Sequence, residues 1–345
     1  MVALPVAAQD GQQPSGSQGI TEDMLVVAPD LYTRAVDAFN AQDYEKAVLD
    51  ASIFILLNPT YARAYYLRAL SYESLQQSDN ALADLGRAID HAPTPDFEAV
   101  AHVVRANIYM DQEDSASALE ELNAAIEAAP DMPEPYFARA QIYASQERFD
   151  DALADYNRVI ELAPNTAQVY QDRGSINYQL GNYQDAVDDY THAIQNDSQN
   201  AGLYLGRGAA YTGSGDSAAA AADFLQWIRL TSTNVNQDHQ LTIGQSIQVD
   251  LQDGLVYVMP FQATAGQVLN IEATRGPNVE ADPIMVLVDS QGNALVGDDD
   301  SGGDLNAAIR DYTIPADGVY ALLVSHSGGG SSGAVVVKLG LSASP

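Results

Sequence analysis

The sequence predicts a chain of two parts, an α-solenoid of about six helical hairpins followed by an all-β domain. Three observations carry that prediction. Pro59, Pro93, Pro130 and Pro164 each close a similar segment, with Ser198 and Ser232 at the equivalent later positions, so the spacings are 34, 37, 34, 34 and 34 residues. Within each segment, apolar residues recur at the period of a helix. From Leu241 onward the period becomes two, and Gly and Asp turns separate short apolar runs.

Each repeat follows one plan. An alanine recurs at Ala47, Ala81, Ala118, Ala152, Ala186 and Ala220, where only a small side chain lets two helices approach. A large residue opens the first helix at Leu31, Tyr65, Tyr136, Tyr170 and Tyr204, with His102 the departure. Tyr72, Tyr109, Tyr143 and Tyr211 on first helices, with Leu85, Leu122, Tyr156, Tyr190 and Phe224 on second helices, complete the apolar stripes. Segments such as Tyr136 to Pro164 (YFARAQIYASQERFDDALADYNRVIELAP) resemble tetratricopeptide repeats, a resemblance that spans roughly residues 28 to 232. A three-residue insertion near Thr94 to Asp96 and the loss of the closing proline in the last two units depart from the pattern.

Arg34, Arg68, Arg105, Arg139, Arg173 and Arg207 hold one place in all six first helices, and sixteen residues on stand Asp50, Asp84, Glu121, Asp155, Asp189 and Asp223. A hairpin brings such positions face to face. They are read as intra-repeat ion pairs that set register, in preference to an arginine ladder for an anionic ligand.

The resemblance implies a right-handed solenoid with a concave face, lined by first helices, that binds partner segments. On the family's spacing the partner-binding positions are Tyr32, Phe39, Tyr66, Val103, Asn107, Phe137, Gln141, Gln171 and Tyr178. This set is rich in aromatics and amides and poor in positive charge. It departs from the lysine and asparagine clamp that some members use for acidic peptides, and suits a neutral or basic segment or a stacked glycan. Trp227, Ile228 and Leu230 leave the last repeat with an apolar end, which either the β domain or another copy of the chain must cover.

In the second part, Ile247 to Leu251, Val256 to Phe261, Val268 to Ala273, Ile284 to Val288 and Val319 to Val324 read as strands, among eight or so that imply a β-sandwich. Ala265-Gly266-Gln267, Asp282-Pro283, Asp289 to Asn293 (DSQGN), Asp298 to Gly303 (DDDSGG) and Pro315 to Tyr320 (PADGVY) resemble, in that order, the bacterial pre-peptidase C-terminal domain. The resemblance implies a jelly-roll-like sandwich of the kind appended to secreted proteins, and hence an extracytoplasmic address. Asp298, Asp299, Asp300 and Asp304 could supply oxygen ligands to calcium, although their spacing fits no EF-hand.

Composition narrows the function. With 46% hydrophobic residues in 345, the chain can bury two cores. A net charge of −32, from 47 acidic and 15 basic residues, repels phosphate backbones and makes nucleic acid a poor partner. Without cysteine there is no disulfide or thiolate site, and no apolar run is long enough to span a bilayer. The five histidines show no paired metal spacing, and no nucleophile elbow, phosphate loop or dinucleotide fingerprint occurs, so no catalytic residue is assigned.

The predicted organisation is an apolar start plus flexible linker over 1–22, a solenoid over 23–232, a linker over 233–240 and the β domain over 241–345. Val6-Ala7-Ala8 resembles a signal-peptidase site, so the start is either a signal-peptide remnant or an extended donor segment. The expected function is a non-catalytic extracytoplasmic interaction scaffold that binds a protein partner. The alternative is a subunit of a head-to-tail filament, built from copies of itself through the N-terminal segment and the solenoid end.

Overall fold

The computed structural model describes residues 29–276, 281–300, 306–327 and 332–342. The chain divides into two compact units at Leu162 and Ala163. The apolar start and linker, 1–22, lie outside the described residues.

The first unit holds four helical hairpins: α1 (Pro29–Asn40) with α2 (Tyr44–Leu57), α3 (Ala62–Ser74) with α4 (Ser78–Asp90), α5 (Pro95–Asp111) with α6 (Ser115–Ala128), and α7 (Pro133–Ser145) with α8 (Phe149–Leu162). The second unit opens with two more, α9 (Ala167–Gln179) with α10 (Tyr183–Asn196) and α11 (Ala201–Ser214) with α12 (Ser217–Thr231). The six repeated alanines, from Ala47 to Ala220, are all completely buried, as close approach of paired helices requires.

The slot tyrosines do more than fill space. The hydroxyls of Tyr65, Tyr136 and Tyr204 donate to the carbonyls of Pro59, Pro130 and Ser198, each six residues back, at 3.0, 3.2 and 3.3 Å. Because the acceptor is backbone, the bond survives where serine replaces proline. In the third repeat the insertion lengthens the first helix: Thr94 caps α5 by accepting the Phe97 backbone N–H at 3.2 Å, with Pro95 at the first helical position. Its slot residue, His102, instead pairs with Glu121 at 2.7 Å.

The second unit continues with nine strands among the described residues: β1 (Asn234–Asn236), β2 (Ser246–Leu251), β3 (Leu255–Ala263), β4 (Val268–Arg275), β5 (Pro283–Val288), β6 (Ala294–Asp298), β7 (Ala307–Thr313), β8 (Gly318–His326) and β9 (Gly333–Leu341). They form a five-stranded sheet in the order β1-β3-β8-β5-β6 and a four-stranded sheet in the order β2-β9-β4-β7. All neighbours are antiparallel except β1 and β3. The stretch 233–240, expected as a linker, thus carries a strand of its own.

The two sheets share one core. Met259 and Phe261 of β3, Met285 and Leu287 of β5 and Leu322 of β8 meet Leu269 and Ile271 of β4 and Val335 and Val337 of β9. On the other face of the five-stranded sheet, Val256, Ile284, Val286 and Val288 pack on Phe224, Leu225, Trp227 and Ile228 of α12. The apolar end of the last repeat is therefore covered from within the same chain. Phe224 needs room on both sides: a Cβ at Gly208 of α11 would lie 2.5 Å from its ring, and one at Gly297 of β6 would lie 3.2 Å from it and 3.0 Å from the Ala221 Cα.

Among the described residues that carry the β-domain resemblance, two aspartates close loops. The Asp317 carboxylate accepts the Ala265 backbone N–H at 2.8 Å, joining two of the motif loops. Asp289 accepts the Gln291 and Asn293 backbone N–H groups at 2.8 and 2.9 Å, and the Asn293 side-chain amide, followed by these backbone bonds, holds its carboxyl below the usual range.

Candidate functional site

All six arginine–acid pairs form, at 2.5–3.1 Å. Arg68, Arg139 and Arg207 present Nε and Nη2 to both oxygens of Asp84, Asp155 and Asp223, the bidentate fork a guanidinium favours. The third nitrogen reaches back to the preceding hairpin, where Nη1 donates to Ser52, Asn123 and Thr191 at 2.9, 2.6 and 3.0 Å. Tyrosine rings three residues before and four after each of these arginines lie 5.7–5.9 Å from the guanidinium carbon. These arginines are thus engaged in joining helices within and between repeats.

The nine expected partner-binding positions divide by exposure. Tyr32, Phe39, Tyr66, Val103 and Phe137 are half-buried and pack between helices. Tyr32 lies 5.4 Å from the Phe54 ring, Tyr66 5.6 Å from Phe97 and Phe137 6.0 Å from Tyr156. Burial pushes the Tyr32 and Tyr66 phenols up to about 12, with Tyr61 adding to the Tyr32 shift. Gln171 is half-buried, and Asn107, Gln141 and Tyr178 are exposed. Asn107 and Gln141 each stand two residues after their repeat's arginine, on α5 and α7.

A second arrangement lies at one end of the five-stranded sheet. Because β5 and β6 run antiparallel with Met285 opposite Asp298, the residue before β5 and those after β6 meet at the same edge. Asp282, Asp299 and Asp300 come together there, each offering a carboxylate oxygen within 4.8 Å of the others. Asp282 Oδ1 and Asp299 Oδ1 are closed to solvent and have no hydrogen-bond partner.

The surroundings hold this group in place. The Asp282 backbone N–H donates to Nδ1 of the buried His326 at 3.1 Å, and the Ser327 N–H donates to the Asp282 carbonyl at 2.8 Å. Burial, reinforced by Asp282, Asp300 and Asp298, pushes the Asp299 carboxyl well above the carboxylate range, and burial with Asp282 and Asp298 raises Asp300. Tyr178 of α9 is also raised, first by burial and then by Asp300, Tyr183 and Asp299.

This differs from the expected ligand set. Asp298 uses Oδ2 to accept the Ala308 backbone N–H at 2.6 Å, tying β6 to β7, and stands outside the group. Asp304 lies outside the described residues. Asp282, 16 positions before Asp298, enters instead; its Asp-Pro motif was visible in the sequence, but its partners were not.

The period, the buried alanines and the paired helices define the helical hairpins as tetratricopeptide repeats. Family models of the tetratricopeptide repeat match residues 32–96, 103–167 and 140–205. Among solved structures, pilF of Pseudomonas aeruginosa is 16% identical with a TM-score of 0.51, over 61% of this chain and 94% of its own. The C-terminal part of a repeat-containing protein from Cytophaga hutchinsonii is also 16% identical, with a TM-score of 0.50 over 58% and 78%. YrrB, described as having an unusual peptide-binding site, is 19% identical with a TM-score of 0.46, over 52% and 91%. At such identities the likeness is one of fold. Comparison with curated proteins returns no significant relative. Tetratricopeptide proteins generally mediate protein–protein contacts, and no described helix is long and apolar enough to cross a membrane.

Proposed function

We propose that the chain is a non-catalytic interaction scaffold working outside the cytoplasm. Its repeats bind a neutral or basic protein segment, and its C-terminal sheets serve as a jelly-roll-like accessory or adhesion module of the pre-peptidase C-terminal kind. The observation that carries the binding reading is the engagement of the repeated arginines by internal acids. The first helices of the first unit offer solvent the amides of Asn107 and Gln141 beside charged groups such as Asp37, Arg63 and Asp111, on a chain of net charge −32. Such a surface favours hydrogen bonding to an extended backbone and disfavours acidic peptides.

Selection from a random peptide library on the full chain tests this reading. Binders should be neutral or basic, and Asn107→Ala with Gln141→Ala should weaken them about tenfold, a loss of about 1.4 kcal/mol, without moving Tm. Acidic binders, or binders indifferent to both substitutions, would overturn it. The extracytoplasmic address rests on Val6-Ala7-Ala8 and the β-domain resemblance. A reporter active only after export, fused to the chain in a bacterial host, checks it.

Self-association is the second reading, favoured by one feature of α2. Leu49, Ile53, Leu56 and Leu57 are 59, 38, 81 and 56% exposed along one stripe. Thirty-four residues on, the equivalent positions are Ala83, Arg87, Asp90 and His91, so the stripe is a local departure from the repeat. Light scattering should show concentration-dependent growth that Leu56→Asp abolishes. A monomer at every concentration would exclude this reading.

A further inference from the structure

We propose that Asp282, Asp299 and Asp300 form a binding site for a hard divalent cation, with calcium the best match, at the edge where β5 begins and β6 ends. The argument rests on what each carboxylate lacks. Three acidic groups converge within 4.8 Å, and among the described residues no arginine or lysine is paired with any of them.

Two of the oxygens, Asp282 Oδ1 and Asp299 Oδ1, are shut off from water without a hydrogen bond. An acidic turn that merely closes its own loop satisfies its oxygens with hydrogen bonds, as Asp289 does elsewhere in the same domain. Here the fold has closed two carboxylate oxygens to water where three acidic side chains converge, an arrangement that a cation would complete.

The site is also built to stay open. His326 and Ser327 hold the Asp282 backbone through its N–H and carbonyl, which fixes where its side chain starts. Asp298 does the same for the other side, fixed to β7 just before Asp299. Asp300 is exposed and gives the ion a route from solvent.

The donors are all oxygen, which selects hard cations over zinc or copper. Mono- or bidentate carboxylates completed by water suit the flexible six- to eight-fold shell of calcium better than the strict octahedron of magnesium. Burial first and then the charges of Asp300, Tyr183 and Asp299 raise the Tyr178 phenol, which makes this tyrosine the antenna to test.

The test uses the full chain, stripped with a chelator and titrated with terbium, a luminescent substitute for calcium. Tyrosine-sensitised terbium emission should rise several-fold and fall again as calcium is added. Calcium alone should raise Tm by a few degrees, and the chelator should reverse that rise. Asp282→Asn with Asp299→Asn should abolish both responses while leaving the far-ultraviolet circular dichroism unchanged. Tyr178→Phe should remove most of the sensitised emission yet keep the calcium-induced Tm rise, which locates the ion. A Tm indifferent to calcium and chelator would overturn the proposal, as would terbium emission unaltered by the double substitution or by Tyr178→Phe.

Discussion

The chain buries carboxylates in two ways. In the repeats, Asp84, Asp155 and Asp223 are at most 6% exposed, and each receives a bidentate arginine from the facing helix. At the sheet edge, Asp282 and Asp299 also turn oxygens away from water, but no side chain answers them. A buried anion demands a counter-charge. In the first region the fold supplies it sixteen residues away; in the second it leaves protons or a solution cation to do so.

The largest effect expected from this contrast is that of Arg139→Ala, which leaves Asp155 buried and unpaired. It should destabilise the chain by about 3–5 kcal/mol in denaturant unfolding. Replacing both partners, with Arg139→Met and Asp155→Leu, should recover most of that loss. Arg34→Ala should cost less, about 1–2 kcal/mol. Arg34 makes one hydrogen bond to Asp50, and its side chain is 56% exposed, so solvent already screens the pair.

Neutralising an acid should have opposite signs in the two regions. Asp155→Asn should destabilise, whereas Asp299→Asn in metal-free buffer at neutral pH should stabilise by about 1 kcal/mol, because it relieves desolvated charge among like charges. Equal signs would erase the distinction.

The pH dependence sharpens it further. Asp299 and Asp300 hold their protons above the normal aspartate value of 3.8 in the folded chain, so just above that value the folded state binds more protons than the unfolded one. Their contribution is present at low pH and is lost as pH rises through their raised values. The difference in unfolding free energy between wild type and Asp299→Asn should therefore widen, in favour of the variant, as pH rises through that window. A constant difference would show that Asp299 titrates normally.

Legibility in the sequence followed the same divide. The arginine–acid pairs were readable because a hairpin is local: two helices of fixed length and one short turn bring residues sixteen apart together in every repeat. The aromatic positions were readable as a set, but their roles were not. Tyr32 and Phe137 occupy positions two before the repeat's arginine, and only packing against Phe54 and Tyr156 shows them half-buried between helices. The sheet-edge acids were half legible. The run at Asp298 to Asp300 announced charge, but spacing alone put Asp298 among the ligands and said nothing of Asp282.

By itself the sequence determined the number of repeats, their internal pairs, the tight alanines and the change to strands near Leu241, since each depends on periodicity or on contacts within one hairpin. The tertiary structure decided what lies between distant segments. It placed α12 under the five-stranded sheet, with Phe224 between Gly208 and Gly297, and so covered the repeat end that the sequence left open. It also brought Asp282 to Asp299 and Asp300 through the pairing of β5 with β6. Strand order and register set those neighbours, and a period of two reveals which face a residue takes without revealing what it faces.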